Sequence, residues 1–170
     1  MFKYHGQQRP DFAEEPADGQ ESVWDYPRPP RLEPTDEWVE VFADQLPIAS
    51  SGSALRLLET ASPPTYYIPA RDINWSLLSP VDHTSFCEWK GQASYFALAG
   101  DPKQQPVAWL YADPDAAYAD IDQHASFYPN LLRCEVNGER VIPQSGSFYG
   151  GWITSRVAGP FKGEPGTGHW

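Results

Sequence analysis

The chain has 170 residues, 41% of them hydrophobic, and 12 basic against 23 acidic residues leave a formal charge of −11. That length holds one domain, or one domain with an arm, with enough apolar mass for a core. The acidic balance argues against a nucleic-acid backbone as partner, which needs clustered Lys and Arg, and no apolar run approaches the roughly 20 residues of a membrane span.

Residues 1–20 read as a disordered acidic tail: Asp11, Glu14, Glu15 and Asp18 come with little to bury. Residues 21–34 differ. Their prolines favour extended polyproline geometry, and Trp24 and Tyr26 are costly to leave in water, so this proline-aromatic arm should lie across a domain spanning 21–170. From Trp38 onward the apolar period is mostly two. Trp38–Phe42 and Gln45–Ala49 read as a hairpin around Ala43-Asp44. Ser53–Glu59 could be one or two helical turns capped by Ser53 and stopped before Pro63-Pro64. Tyr95–Leu98 and Val107–Tyr111 form a second hairpin around Gly100-Asp101-Pro102. Ala116–Gln123 could be another short helix, entered through Asp113-Pro114. Leu132–Val136 and Glu139–Ile142 flank Asn137-Gly138, whose residues suit a type I′ turn. With 18 prolines and 13 glycines, long helices are excluded. The fold class is mainly β: a single small domain of antiparallel hairpins forming a barrel or a pair of packed sheets, with one or two short helices.

Chemistry concentrates in one stretch, Ser85-Phe86-Cys87-Glu88-Trp89-Lys90-Gly91-Gln92-Ala93-Ser94-Tyr95. It sets a thiol, a carboxylate, an ammonium group and three aromatics around a glycine. Cys87 is the best nucleophile available, and a positive charge on Lys90 would favour its thiolate; a strand cysteine is also an ordinary core residue. Glu59 follows an apolar run and would need a partner if buried, either Arg56, Lys90, a backbone amide or a ligand. Gly91 would let a ligand approach the backbone. His83, four residues before Cys87, could meet the thiol through a bend or sit in solvent. Cys87 and Cys134 lack the CxxC spacing and companion ligands of a structural metal site, so neither metal nor cofactor is expected.

Four blocks carry a wider resemblance: Ser22–Pro30; Leu57–Thr60 with Pro63–Pro69; Cys87–Tyr95; and Gly151–Thr154 with Gly159–Gly163. Together they resemble the uncharacterised family catalogued as domain of unknown function 427, which also carries a nucleotidyltransferase-like label. The resemblance spans nearly all of residues 21–170. It implies a compact β domain similar to the β-tent group, and no established reaction. Nucleotidyl transfer ordinarily uses a Gly-Ser turn followed by paired aspartates that hold magnesium. Here Ser51-Gly52-Ser53 is followed by no Asp-x-Asp.

The chain's 24 aromatic residues supply the remaining theme. Most must be core, but Tyr67, Trp89, Tyr95, Trp109, Tyr128 and Trp152 lie in or near the signature blocks and could line a stacking pocket for a flat or cationic small molecule. The leading reading is a small-molecule-binding β domain with Glu59, Cys87 and Lys90 as polar contacts. One alternative is an enzyme using Cys87 as nucleophile or redox thiol with Glu59 and Lys90 assisting, or a nucleotidyltransferase-like transferase. Another is a protein-interaction module acting through the proline-aromatic arm. Lacking an apolar leader after Met1, the chain reads as cytoplasmic; its oligomeric state is open.

Overall fold

The computed structural model describes residues 1–170. Fifteen strands follow in chain order: β1 (Glu21–Ser22), β2 (Arg31–Pro34), β3 (Val39–Ala43), β4 (Leu46–Ser51), β5 (Leu55–Leu58), β6 (Thr65–Pro69), β7 (Leu78–Cys87), β8 (Gly91–Leu98), β9 (Pro106–Tyr111), β10 (His124–Phe127), β11 (Arg133–Val136), β12 (Glu139–Arg140), β13 (Ile142–Pro143), β14 (Trp152–Ile153) and β15 (Val157–Ala158). Seven of them form one sheet in the order β2-β5-β6-β10-β9-β8-β7, and four form a second in the order β12-β11-β3-β4. Both sheets are antiparallel throughout. The class is mainly β, but no barrel closes: β2 and β7 end the large sheet and do not pair with each other.

Alternation decides what each strand buries. Along β6, Tyr66 and Ile68 point into the main core and Tyr67 to the opposite face; along β9, Ala108 goes to the core while Trp109 and Tyr111 go opposite. The main core lies between the sheets. There Val39, Val41, Ile48, Cys134 and Val136 of the small sheet meet Tyr66, Ile68, Ala125 and Phe127 of the large one. Trp152 fills its centre without solvent exposure, stacks on Tyr66 with ring centroids 4.9 Å apart, and donates its indole N–H to the Phe127 carbonyl at 3.0 Å. A second apolar cluster, built on Tyr67, Trp109, Tyr111, Tyr118 and Ile121, covers part of the other face.

The hairpins fall where period and turn chemistry place them. β3 pairs with β4, β8 with β9, and β11 with β12. Asn137 and Gly138 take φ of +49° and +79°, as the type I′ turn requires. Two expectations are corrected. Residues 55–58 are strand β5 rather than helix, because Leu57 and Leu58 serve two different cores from opposite faces of one strand. A four-residue apolar run carries too little periodicity to separate these outcomes. What helix there is consists of short 3-10 turns, among them Ala116–Ile121.

The N-terminal segment also departs from the composition-based reading. Tyr4 and Phe12 of the acidic tail pack edge-on against Trp24 at 5.2 and 5.3 Å, Phe12 stacks on Trp170 at 5.1 Å, and Arg9 binds Asp25 through two hydrogen bonds. Two aromatic anchors and one ion pair offset the polar composition. The arm is likewise more than a surface strap. Val23 and Trp24 are completely buried, β1 pairs in parallel with β15, and β2 is an edge strand of the large sheet. Arg56, itself buried, holds the arm through Glu21 and Glu33. No helix is long and apolar enough to cross a membrane.

Candidate functional site

The face of the large sheet that turns away from the main core opens into a cavity of about 980 Å³. Its floor follows from strand alternation: Tyr67 on β6, Trp109 and Tyr111 on β9 and Tyr95 on β8 all project from the same side. The rings stand close enough to stiffen one another. Tyr67 meets Trp109 edge-on with centroids 6.4 Å apart, and Tyr128 lies against Trp109 at 4.5 Å. The far wall comes from the loop between β13 and β14, where Ser147, Phe148, Tyr149 and Gly150 line the space. Gly150 is required there: a side-chain carbon on it would collide with the Trp109 indole. Phe86 and Phe148, both largely exposed, stand among the lining residues.

The polar groups arrive on the turn that joins β7 to β8. Cys87 ends β7 and pairs with Gly91, which starts β8, leaving Glu88, Trp89 and Lys90 as the turn. Gly91 sits at φ +98°, so the turn itself demands glycine. A Cβ at Gly91 would point toward Asp113 and Asp115. At 3.6–3.8 Å those contacts would be ordinary ones, so it is the chain reversal, and neither loop packing nor a ligand's approach, that asks for glycine. Cys87 is half-buried against the aromatic cluster. Lys90 is also half-buried, with its ammonium 5.5 Å from the Tyr111 ring centroid. Burial disfavours its charge, but the nearby Tyr67, Cys87 and Glu59 outweigh that penalty and raise its pKa above the ordinary lysine value. Burial likewise pushes the Tyr67, Tyr111 and Tyr128 hydroxyls up, so all three stay protonated near neutrality.

Eight of the nine residues singled out from the sequence line this one cavity: Glu59, Cys87, Lys90, Tyr67, Trp89, Tyr95, Trp109 and Tyr128. Trp152 does not; it belongs to the closed core on the other side of the sheet. Glu59 and Lys90 share the cavity without forming an ion pair. The partner of Glu59 is Arg28 of the arm, with Nε donating to Oε1 at 3.2 Å. The remaining Arg28 donors are taken by the carbonyls of Tyr4, Thr60 and Trp170. Arg56 pairs elsewhere, with Glu21 and Glu33. His83 does not approach the thiol as a partner but lies over the Tyr95 ring at 4.9 Å, while Tyr95 shares a 2.6 Å hydrogen bond with Ser85. No three His, Cys, Asp or Glu side chains converge in a way that could hold a metal ion.

Sequence reasoning passed over Tyr111, Lys162 and Phe2, which also line the cavity. Tyr111 was within reach, since it lies two residues beyond Trp109 on one strand and must share its face. Lys162 was not. It comes from the C-terminal block, and burial together with Arg28 lowers its pKa. Phe2 lies over Arg28 and Lys162, at 4.0 and 4.5 Å from its ring centroid, bringing the N-terminus to the same mouth.

Residues 31–140 match the model of a protein family described as Domain of unknown function (DUF427), which is more than half of the chain. The blocks at 22–30 and 151–163 lie outside the matched range. No curated protein matches the chain.

Proposed function

The chain belongs to the DUF427 family, and we propose that it is a small-molecule-binding protein of the cytoplasm whose ligand occupies the cavity beside the β7–β8 turn. One observation carries the reading: a lysine, a thiol and several tyrosine hydroxyls converge in one aromatic-walled cavity of about 980 Å³. Such a cavity is large enough for a drug-sized molecule, and a few convergent polar groups among apolar walls are the usual make-up of a ligand site. The walls suit a flat ring system, which Trp109 and Tyr128 would stack upon. Two free cysteines are consistent with a reducing compartment. The test is a crystal structure of protein purified from its own cells, paired with mass spectrometry of the denatured extract. The reading predicts a molecule in stoichiometric amount, with density touching Lys90. An extract without any bound molecule, together with failure of every planar aromatic compound to raise the melting temperature, would defeat it.

A second reading has a specific observation behind it. Cys87 lines the cavity beside Lys90, whose ammonium stands 5.5 Å from the Tyr111 ring centroid, a setting in which the Cys87 sulfur can attack a bound electrophile. Covalent labelling by acyl or alkyl electrophiles, faster than for a free thiol and lost in Lys90→Met, would favour catalysis over simple binding.

A further inference from the structure

From the charge arrangement inside the cavity, we infer that its ligand is a planar aromatic anion whose acidic group is received by Lys90 together with the Tyr67 and Tyr111 hydroxyls. The inference rests on the binding reading above and narrows it to a chemical class. Its basis is a census of charges. Lys90 forms no salt bridge with any carboxylate side chain, whereas six of the eight arginines have an acidic partner. Two carboxylates do line the cavity. Glu59 is already bound to Arg28 at 3.2 Å, and Glu88 is exposed on the turn. A second amine, Lys162, lines the same space without an Asp or Glu partner; it donates to the main-chain oxygen of Trp170 at 3.4 Å.

The tyrosines point the same way. Tyr26, Tyr66 and Tyr118 give their protons to Glu21, Glu37 and the Pro30 carbonyl, at 2.7, 2.9 and 2.8 Å. Tyr67 and Tyr111 are as deeply buried, yet neither hydroxyl reaches a carboxylate or a carbonyl. Buried donors ordinarily find acceptors. An ammonium and two hydroxyls that border one cavity, with only the Cys87 sulfur and the Trp109 indole as side-chain partners, describe the complement of an anion, and a carboxylate offers lone pairs for all three. The walls of Trp109 and Tyr128 then require the body of that anion to be flat and aromatic. Long-range attraction cannot produce this preference, because the chain as a whole carries −11 and repels anions.

Three probes of one shape and different charge test the inference: 2-naphthoate, 2-naphthalenemethanol and 2-naphthylmethylammonium, each titrated calorimetrically against the full chain. The naphthoate should bind about tenfold or more tighter than the alcohol, as expected for a charge-assisted contact, and the ammonium should bind weakest. Lys90→Met should bring naphthoate down to the alcohol's affinity and leave the alcohol unchanged. Lys90→Arg, which keeps the charge, should retain the preference, and thermal melts of both variants report whether they are folded. Equal affinities, or tightest binding by the ammonium, would overturn the anion inference and leave the binding reading standing. Absence of binding by all three would overturn both.

Discussion

The two faces of the seven-stranded sheet use the same residue types for opposite ends. On one face Trp152 and Tyr66 stack at 4.9 Å, and their polar tips end on the Phe127 carbonyl and Glu37, inside the protein. On the other, Trp109 and Tyr67 meet edge-on at 6.4 Å, and the groups beside them look into open space. Tyr66 and Tyr67 are consecutive in the chain, so the difference owes nothing to the neighbourhood in sequence. It depends on what lies across from each face. The core face meets the small sheet, whose Val and Ile side chains close over it. The other face meets a glycine-containing loop that covers it without filling it. The polar tips of Tyr66 and Trp152 are matched by Glu37 and a main-chain carbonyl, whereas those of the cavity face border space that a ligand can fill.

The largest consequence concerns the two tryptophans. Trp152→Ala should cost about 3–5 kcal/mol by urea denaturation, since it empties the centre of a closed core. Trp109→Ala, which enlarges space that is already open, should cost at most about 2 kcal/mol and abolish aromatic binding. Equal losses of stability would erase the distinction between the faces. Titration gives a second contrast. Burial raises the pKa values of the Cys134 thiol and the Tyr66, Tyr67 and Tyr111 hydroxyls. Each such group leaves stability intact below its unfolded value, because both states are then neutral. Above that value the unfolded chain ionises while the folded one resists. Stability should therefore begin to fall above about pH 8.5 and fall faster above about pH 10, by about 1.4 kcal/mol per pH unit for each group involved. An anion bound beside Lys90 should delay this alkaline loss; no protection would count against a ligand on that face.

A finer test uses the adjacent tyrosines. Tyr66→Phe removes a hydrogen bond to Glu37 and should cost about 1 kcal/mol. Tyr67→Phe should stay within about 0.5 kcal/mol of the parent while weakening naphthoate binding. Reversed effects would mean that the structural and ligand-facing roles have been exchanged.

Much of this layout was legible in the sequence through period two, which placed three hairpins and put Trp109 and Tyr95 on strands. The turn stretch 85–95 announced itself by mixing charge, thiol and aromatics. Trp152 and Trp109 could not be told apart, because each lies in a short strand and only the layer opposite differs. Glu59 was rightly in want of a partner, but Arg28 reaches it across 31 residues of sequence, a closure no local pattern encodes. The packing of residues 1–20 depends on Trp170 at the other end of the chain, so composition alone read it as unfolded. β5 could not be told from a helix, because four residues cannot display a period.

The most direct test of the two-faced sheet uses its two thiols. Cys134 lies in the closed core without solvent exposure, and Cys87 stands half-buried at the cavity. A thiol reagent applied to native protein should modify one cysteine per chain, identified as Cys87 by peptide mapping, and a second only after unfolding in urea. Saturation with naphthoate should slow the first reaction. Rapid modification of Cys134, or a Cys87 that reacts only upon unfolding, would contradict an open cavity on one face and a closed core on the other.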